Sequence, residues 1–269
     1  MLGASFPDTI HTVTFDCWST LIYEAPGQGG TTHRARRLAE RIGRDEAEVA
    51  TAFTNAWREH ATSWHRRVVF AGPHMLQHAL QALGITLSPA EVSTLLTELE
   101  DDVLARTVVP VAGAEVLLSQ LRAAGVRTAL ICDTGFSPGR VVRQLLARAG
   151  LLEHLEVAIF SDEVGVPKPH PRAFASALDA LGVSARGAVH VGDLRRSDIA
   201  GARAAGMATV RFTGHNDDSE TGASTVANVI DCAAAGCSPV CERPEADLVV
   251  AEYPVLGALL APRFSRLRS

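Results

Sequence analysis

The sequence predicts a doubly wound, mostly parallel α/β sheet with an all-helical domain inserted after its first strand. Three observations carry this prediction. Ile10 to Phe15 is a β-branched apolar run that ends in a carboxylate, Asp16. From Thr31 to Thr107, apolar residues recur at three- and four-residue steps and no strand pattern interrupts them. After Pro110, short apolar runs alternate with helical patterns, the signature of parallel strands covered on both faces.

Taken in order, Ile10–Phe15 (IHTVTF) reads as a strand with Asp16 at its carboxyl end, and a Pro/Gly breaker, Ala25 to Gly30, comes after Ile22. Leu38–Ile42, Val49–Trp57, Met75–Leu83 and Val92–Leu104 carry the helical periodicity of the insert. Ser88-Pro89-Ala90-Glu91 predicts a helix start, with Ser88 as N-cap, Pro89 in the first turn and Glu91 reaching back to the cap. Beyond Pro110 the expected order is helix Ala114–Ala124, strand Val126–Cys132, helix Gly139–Ala149 and strand Val157–Phe160. Helix Pro171–Leu181, strand Ala188–Val191, helix Asp198–Ala205, strand Ala208–Phe212 and a last strand, Leu248–Ala251, complete it. Gly214 to Pro244 is the least regular segment, with Thr225–Ala235 a candidate short helix, and a connection of that length is either functional or mobile. The expected division is an α/β core of residues 1–21 plus 108–269 and a helical domain of residues 22–107.

Composition narrows the function classes. The chain has 269 residues, 47% hydrophobic and 20% charged, enough apolar content for one large domain or a domain plus an insert. No run approaches 18 uninterrupted apolar residues and Met1 to Pro7 has no basic, apolar leader pattern, so neither a membrane span nor a signal peptide is expected. The net charge is -5 and there is no long basic run, which argues against nucleic acid as a partner. The short arginine clusters Arg34/Arg36/Arg37 and Arg263/Arg266/Arg268 read as solvated faces. Five cysteines, an odd count, point to free thiols in a reducing compartment, with the cytoplasm the expected location. The expected partner is therefore a small-molecule substrate.

In open parallel sheets, ligands bind beyond the carboxyl ends of the strands. Four such ends carry chemistry here: Asp16-Cys17-Trp18-Ser19-Thr20, Cys132-Asp133-Thr134-Gly135, Val166-Pro167-Lys168-Pro169 and Gly192-Asp193 through Asp198. One aspartate after a strand is ordinarily a loop or helix-cap residue. Three carboxylates (Asp16, Asp193, Asp198) and one ammonium (Lys168) converging on one sheet edge are a different matter. Crowded carboxylates repel and rise in pKa, and a hard divalent cation with oxygen ligands, Mg²⁺ beside phosphate, relieves that. Lys168 supplies a compact positive charge for the nucleophile and for substrate oxygens.

These four segments resemble, in order, the motifs of the haloacid dehalogenase superfamily. The DxxxT motif is Asp16 and Thr20, the lysine motif is Lys168-Pro169-His170-Pro171, and the GDxxxxDxxGA motif is Gly192, Asp193, Asp198, Gly201 and Ala202. The resemblance covers Ile10–Leu21 and about Val108–Phe212, with a helical cap between. It implies a Mg²⁺-dependent hydrolase in which Asp16 attacks phosphorus or carbon and water hydrolyses the resulting ester. It further implies a metal held by Asp16, the backbone carbonyl of Trp18, Asp193, and Asp198 directly or through water. The catalytic set is then Asp16, Lys168 and Thr134, and the expected substrate is a small phosphorylated metabolite.

The sequence departs from the family at two points. Trp18 stands where the phosphatases of the superfamily usually carry a second Asp that protonates the leaving alcohol, and an indole N–H does not titrate. A missing general acid costs on the order of 10²–10⁴ in rate. Three readings remain open: a phosphatase for good leaving groups or with an acid borrowed from cap or substrate, a carbon–halogen hydrolase, or a catalytically weak ligand-binding protein. An aromatic residue at this position is common in the dehalogenase branch, yet that branch lacks the acidic Mg²⁺ site that Gly192-Asp193 signals. Cys132 and Asp133 likewise replace the usual Ser/Thr and Asn, leaving Thr134 or the backbone N–H groups of Asp133 to Gly135 to hold phosphate. Cys17 and Cys132 read as core thiols. Trp57, His60, Trp64, His65, Arg66, Arg67 and Phe70 are expected in the cap, with His60, His65 and His74 as candidate acids or bases. Cys232, Cys237 and Cys241 with His215 suggest free thiols rather than zinc, since the paired Cys-x2-Cys spacing is absent.

Overall fold

A computed structural model describes residues 6–27, 30–218 and 245–264. Its centre is a six-stranded sheet built from β1 (Thr12–Phe15), β4 (Arg127–Cys132), β5 (Val157–Phe160), β6 (Ala188–Gly192), β7 (Ala208–Phe212) and β8 (Leu248–Val250). Their order is β5-β4-β1-β6-β7-β8 and every pairing is parallel. All four residues of β1 are buried, as both neighbours and both faces require of a central parallel strand. Its register sets Thr12 opposite Arg127 on β4 and opposite Ala188 on β6, so the carboxyl ends of these three strands share one edge.

Helices α5 (Ala114–Ala123), α6 (Gly139–Arg148), α8 (Pro171–Leu181), α9 (Ala200–Ala204) and α10 (Tyr253–Leu260) flank the sheet, with a short turn of helix, α7 (Ser161–Val164), after β5. Two apolar cores result. On one face Phe15, Leu130 and Val191 pack with Leu117, Leu121 and Leu256; on the other Ala129 and Ile131 pack with Phe174 and Leu181. Alternating side chains of the same strands thus feed opposite layers.

The insert is helical, as its periodicity predicts: α1 (Gly30–Ile42), α2 (Glu46–His65), α3 (Gly72–Ala82) and α4 (Pro89–Asp101). They bury a core of their own around Leu38, Phe53, Met75, Leu76 and Leu99. The expected capping box is present: Ser88 Oγ accepts from the Glu91 N–H at 3.3 Å and Glu91 Oε2 accepts from the Ser88 N–H at 2.8 Å. Where the insert leaves and rejoins the sheet, β2 (Ile22–Glu24) and β3 (Val108–Pro110) pair as an antiparallel ribbon. That ribbon is too short to show in the sequence as alternation.

Two elements differ from expectation. The helix expected from Asp198 begins earlier, as a π-helical turn over Arg195–Ile199 that runs into α9. The widened turn leaves the Leu194 N–H bonded to Asp198 Oδ2 at 3.0 Å, folding the carboxylate back toward the sheet edge. Helix α10 has no sequence signature because it is apolar on nearly every side; it is stitched down by the Tyr253 hydroxyl, which donates to the Thr20 carbonyl at 2.6 Å. The candidate helix Thr225–Ala235, Cys232, Cys237, Cys241, Arg266 and Arg268 lie outside the described residues.

Candidate active site

The sheet edge brings together the residues that the sequence singles out. Asp16 lies just past β1, Asp193 just past β6, and Asp198 projects from the π-helical turn; one carboxylate oxygen from each lies within 4.8 Å of the others. Lys168, in the loop after α7, is 2% exposed and donates to Asp16 Oδ1 at 2.5 Å and to Asp198 Oδ1 at 2.6 Å. The donor set is all hard carboxylate oxygen, in a buried setting with one resident cation, and so fits a divalent metal such as Mg²⁺. Gly192 is required by the geometry: a Cβ there would sit 2.4 Å from Asp198 Cγ.

The three carboxylates are not equivalent. Burial raises Asp16, Lys168 opposes and Asp198 adds to the rise, leaving its carboxyl at about 6. Burial likewise lifts Asp193 well above the ordinary carboxylate range, reinforced by the charges of Asp16 and Asp198, although the Asn216 amide donates to its Oδ2 at 2.6 Å. Burial acts on Asp198 in the same sense, but Lys168 and His190 overcome it and hold this carboxyl well below the usual range. Asp198 is therefore the anchored anion, already taking hydrogen bonds from Lys168 and the Leu194 N–H. Asp16 and Asp193 are the pair that a bound cation would relieve.

His190 is a functional neighbour that the sequence reading passes over. It is buried on β6, with Nδ1 2.8 Å from the Thr14 hydroxyl and Nε2 3.3 Å from Asp198 Oδ1. Burial lowers its pKa, so the ring is neutral near pH 7 and orients Asp198 by donating from Nε2. The signal available in the sequence was a polar residue inside an otherwise apolar central strand.

Thr134 is buried at the same edge, its hydroxyl 3.0 Å from Ser161 Oγ and its N–H donating to that oxygen at 2.9 Å. Asp133 does not face the carboxylate cluster as a fourth acid. Its Oδ1 accepts the Lys168 N–H at 2.8 Å and its Oδ2 accepts Trp64 Nε1 from α2 at 2.9 Å, tying the lysine loop to the helical layer. The Arg196 guanidinium covers the other side of this tie, 3.6 Å from the centre of the Trp64 ring. Cys17 and Cys132 are buried free thiols; the Cys17 thiol and burial push Cys132 well above its ordinary pKa, so it stays neutral. Both are core residues, as expected.

Above the carboxylates a cleft of about 660 Å³ opens between the sheet edge and the helical layer, lined by Asp16, Trp18, Lys168, Asp193 and Asp198 below and by Arg34, Trp57, His60 and Trp64 above. Trp18 lines it, followed directly by Ser19 in a left-handed backbone conformation (φ 62°). Of the candidate cap histidines, His60 lines the cleft while His65 and His74 do not. His60 Nδ1 faces the Phe70 carbonyl at 2.6 Å and burial lowers its pKa, so it is neutral near pH 7. Arg36 is exposed and Arg37 partly so, as expected of a solvated cluster, but Arg34 is 6% exposed and turned into the cleft. It shares the buried stripe of α1 with Ala35, Leu38 and Ala39, which is why reading the cluster as one solvated face fails.

The sequence model of the haloacid dehalogenase-like hydrolases matches residues 10–206, most of the chain and every strand end described above except those of β7 and β8. The chain belongs to this family. Among relatives of this haloacid dehalogenase-like hydrolase, a glyceraldehyde 3-phosphate phosphatase of Pyrococcus abyssi is 37% identical over 52% of this chain and 57% of its own length. A phosphoglycolate phosphatase of Pectobacterium atrosepticum is 32% identical over 77% of this chain and 82% of its own. The chain thus spans little more than half of the first relative and most of the second. A HAD phosphatase of Thermococcus onnurineus superposes with a TM-score of 0.64 at 20% identity, covering 96% of this chain and all of its own. The L-2-haloacid dehalogenase of Xanthobacter autotrophicus does so at 0.57 and 18%, covering 94% and 99%. At these identities the two structures establish the fold alone: a doubly wound α/β core built on a parallel sheet. No helix among the described residues is long and apolar enough to cross a membrane.

Proposed function

We propose that this hydrolase is a Mg²⁺-dependent phosphatase acting on a small phosphorylated metabolite through an aspartyl-phosphate on Asp16. The observation that carries the reading is the buried cluster of Asp16, Asp193 and Asp198 with Lys168 bridging two of the three. Relatives named as phosphatases support the phosphoryl group as the target. The core is 1–21 plus 108–269 and the cap 22–107, a division supported by the separate apolar cluster of α1–α4.

In this reading Asp16 and Asp193 hold Mg²⁺ with the Trp18 backbone carbonyl, and Asp198 joins directly or through water. The ion, when bound, supplies the positive charge that lets two anions meet and stabilises charge on the transferring group. Lys168 keeps Asp16 ionised and fixes its orientation. An Asp16 oxygen forms the new bond to phosphorus as the ester oxygen leaves with its electron pair; water then attacks phosphorus, releasing phosphate and restoring the carboxylate. Thr134 and nearby backbone N–H groups hold phosphoryl oxygens. Trp18 offers no proton to the leaving group and neutral His60 is a weak source, so the enzyme favours substrates whose leaving group needs little help. The reaction belongs in a reducing, cytoplasmic setting, where the buried Cys17 and Cys132 thiols stay free.

The test is release of phosphate from p-nitrophenyl phosphate and acetyl phosphate, with and without Mg²⁺, beside release of halide from a 2-haloacid. Mg²⁺-dependent phosphate release that Asp16→Asn abolishes is the expected result. Metal-independent halide release would instead favour carbon as the electrophile, the alternative that Trp18 keeps in play. Silence on every substrate would leave a binding protein on a hydrolase fold.

A further inference from the structure

Arg34 presents an anomaly of charge. Its Nε donates to the Leu99 carbonyl at 2.9 Å and its guanidinium lies 5.2 Å from the centre of the Phe136 ring. Among the described residues it makes no ion pair, and no hydrogen bond from its two terminal nitrogens is found. Those nitrogens are nonetheless not sealed in the interior; the side chain lines the cleft. Asp102 and Glu24 act on this guanidinium from a distance, and a buried guanidinium with no direct ion pair is costly unless something else meets it.

The two nearby carboxylates are engaged elsewhere. Glu24 takes both its oxygens to Arg106 Nη1 at 2.7 Å. Asp102 is approached by His33 Nδ1 at 2.5 Å, Arg37 Nε at 3.6 Å and Arg106 Nε at 3.4 Å. Arg34 and Arg106 therefore set a cationic corner at the cap side of the cleft, with one guanidinium unspent. Burial, and next Arg106, lower the pKa of Arg34 to about 10, so it remains charged at neutral pH. The planar fork of its free nitrogens matches a carboxylate or phosphate bidentately.

We propose that Arg34 is a specificity residue that receives a second anionic group on the leaving portion of the substrate, so that the substrate is a phosphate ester bearing a carboxylate or a further phosphate. The inference rests on the phosphatase reading and deepens it. It accounts for a second cation in the cleft besides Lys168, carried by the helical layer and not by the sheet edge. Arg34 touches the substrate body and not the reacting atoms, so its removal acts on recognition.

The test compares kcat/KM for ω-phosphooxycarboxylates of graded chain length, for the matching alkyl phosphates without a second anion, and for α,ω-bisphosphates. p-Nitrophenyl phosphate reports basal activity throughout. Wild type is expected to favour a doubly anionic ester of one chain length by about 10- to 100-fold, the range of a charge-assisted hydrogen bond to a buried site. Arg34→Gln should abolish that preference, chiefly through KM; Arg34→Lys should keep part of it. The carboxylate and bisphosphate arms show which anion is received. A wild-type enzyme that turns over p-nitrophenyl phosphate and shows no preference between singly and doubly anionic esters overturns the proposal, whether or not Arg34→Gln folds. So does a preference that survives in Arg34→Gln. Failure of the phosphatase reading is distinguishable, because p-nitrophenyl phosphate itself would then go unhydrolysed.

Discussion

Replacing Lys168 by methionine keeps most of the side-chain volume and removes the one cation between Asp16 and Asp198. At an effective dielectric of about 20, an ammonium–carboxylate separation near 2.5 Å corresponds to about 6–7 kcal/mol of gross attraction. Desolvation of the ammonium offsets much of it, and breaking one side of a buried pair costs about 3–5 kcal/mol net. For a chain of this size that is a fall in Tm of about 6–20 °C. The loss must also depend on pH. Asp16 already sits at about 6, above its usual 3.8, and without the lysine its carboxyl moves higher still. The folded variant then holds a proton that the unfolded chain releases, so its stability falls as pH rises through that window. The difference between Lys168→Met and wild type therefore grows between pH 6 and pH 8. Urea unfolding in metal-free buffer, monitored by tryptophan fluorescence at both pH values, measures it. A variant as stable as wild type at pH 8, or one equally destabilised at both, refutes the electrostatic account of the site.

The same geometry bears on other substitutions and on metal uptake. Trp18→Asp restores a titratable group beside the nucleophile and should raise turnover of alkyl phosphates relative to p-nitrophenyl phosphate, by up to about 10²; no change in that ratio in a folded variant counts against the missing-acid account. Gly192→Ala places a methyl group 2.4 Å from Asp198 Cγ and must displace that carboxylate. Mg²⁺ affinity, read by calorimetry, should drop by about 10- to 100-fold, as when the supporting contacts of a metal site are disturbed. Because Asp16 and Asp193 hold their protons more tightly than ordinary carboxylates, Mg²⁺ uptake should weaken as pH falls through about 6 and should release protons. Calorimetry in buffers of different ionisation enthalpy detects that release, and a pH-independent affinity would contradict the assigned ligands.

The sheet and its chemical edge were legible because buried parallel strands write themselves as short apolar runs, and the residues beyond several of these runs line the cleft. Asp16, Lys168 and the pair Asp193 and Asp198 come from three separate segments, yet each segment follows a strand that the sequence pattern already marks. The insert was readable as helices because its apolar stripe is regular. The features that escaped depend on partners remote in the chain. His190 gains meaning only from Thr14 and Asp198, and Asp133 from Lys168 and from Trp64 across the cleft. Arg34 was obscured by its arginine neighbours, although its spacing of four from Leu38 placed it on the inward stripe. The π-helical turn before α9, with Asp198 accepting from the Leu194 N–H inside it, has no counterpart in local helix propensity.

Phe136 belongs by sequence to the loop after β4 but is buried in the core of the helical layer, in edge contact with Phe53 and Trp57. Its neighbour Gly135 gives its carbonyl to the Gly72 N–H at 3.0 Å. The helical layer is thus pinned to the same short segment that carries Thr134, and any displacement of these helices would have to drag that segment along or uproot an aromatic ring. Anyone grafting these four helices onto a sister scaffold has to transplant Phe136 with them; moved without that residue, they arrive with a hole in their core.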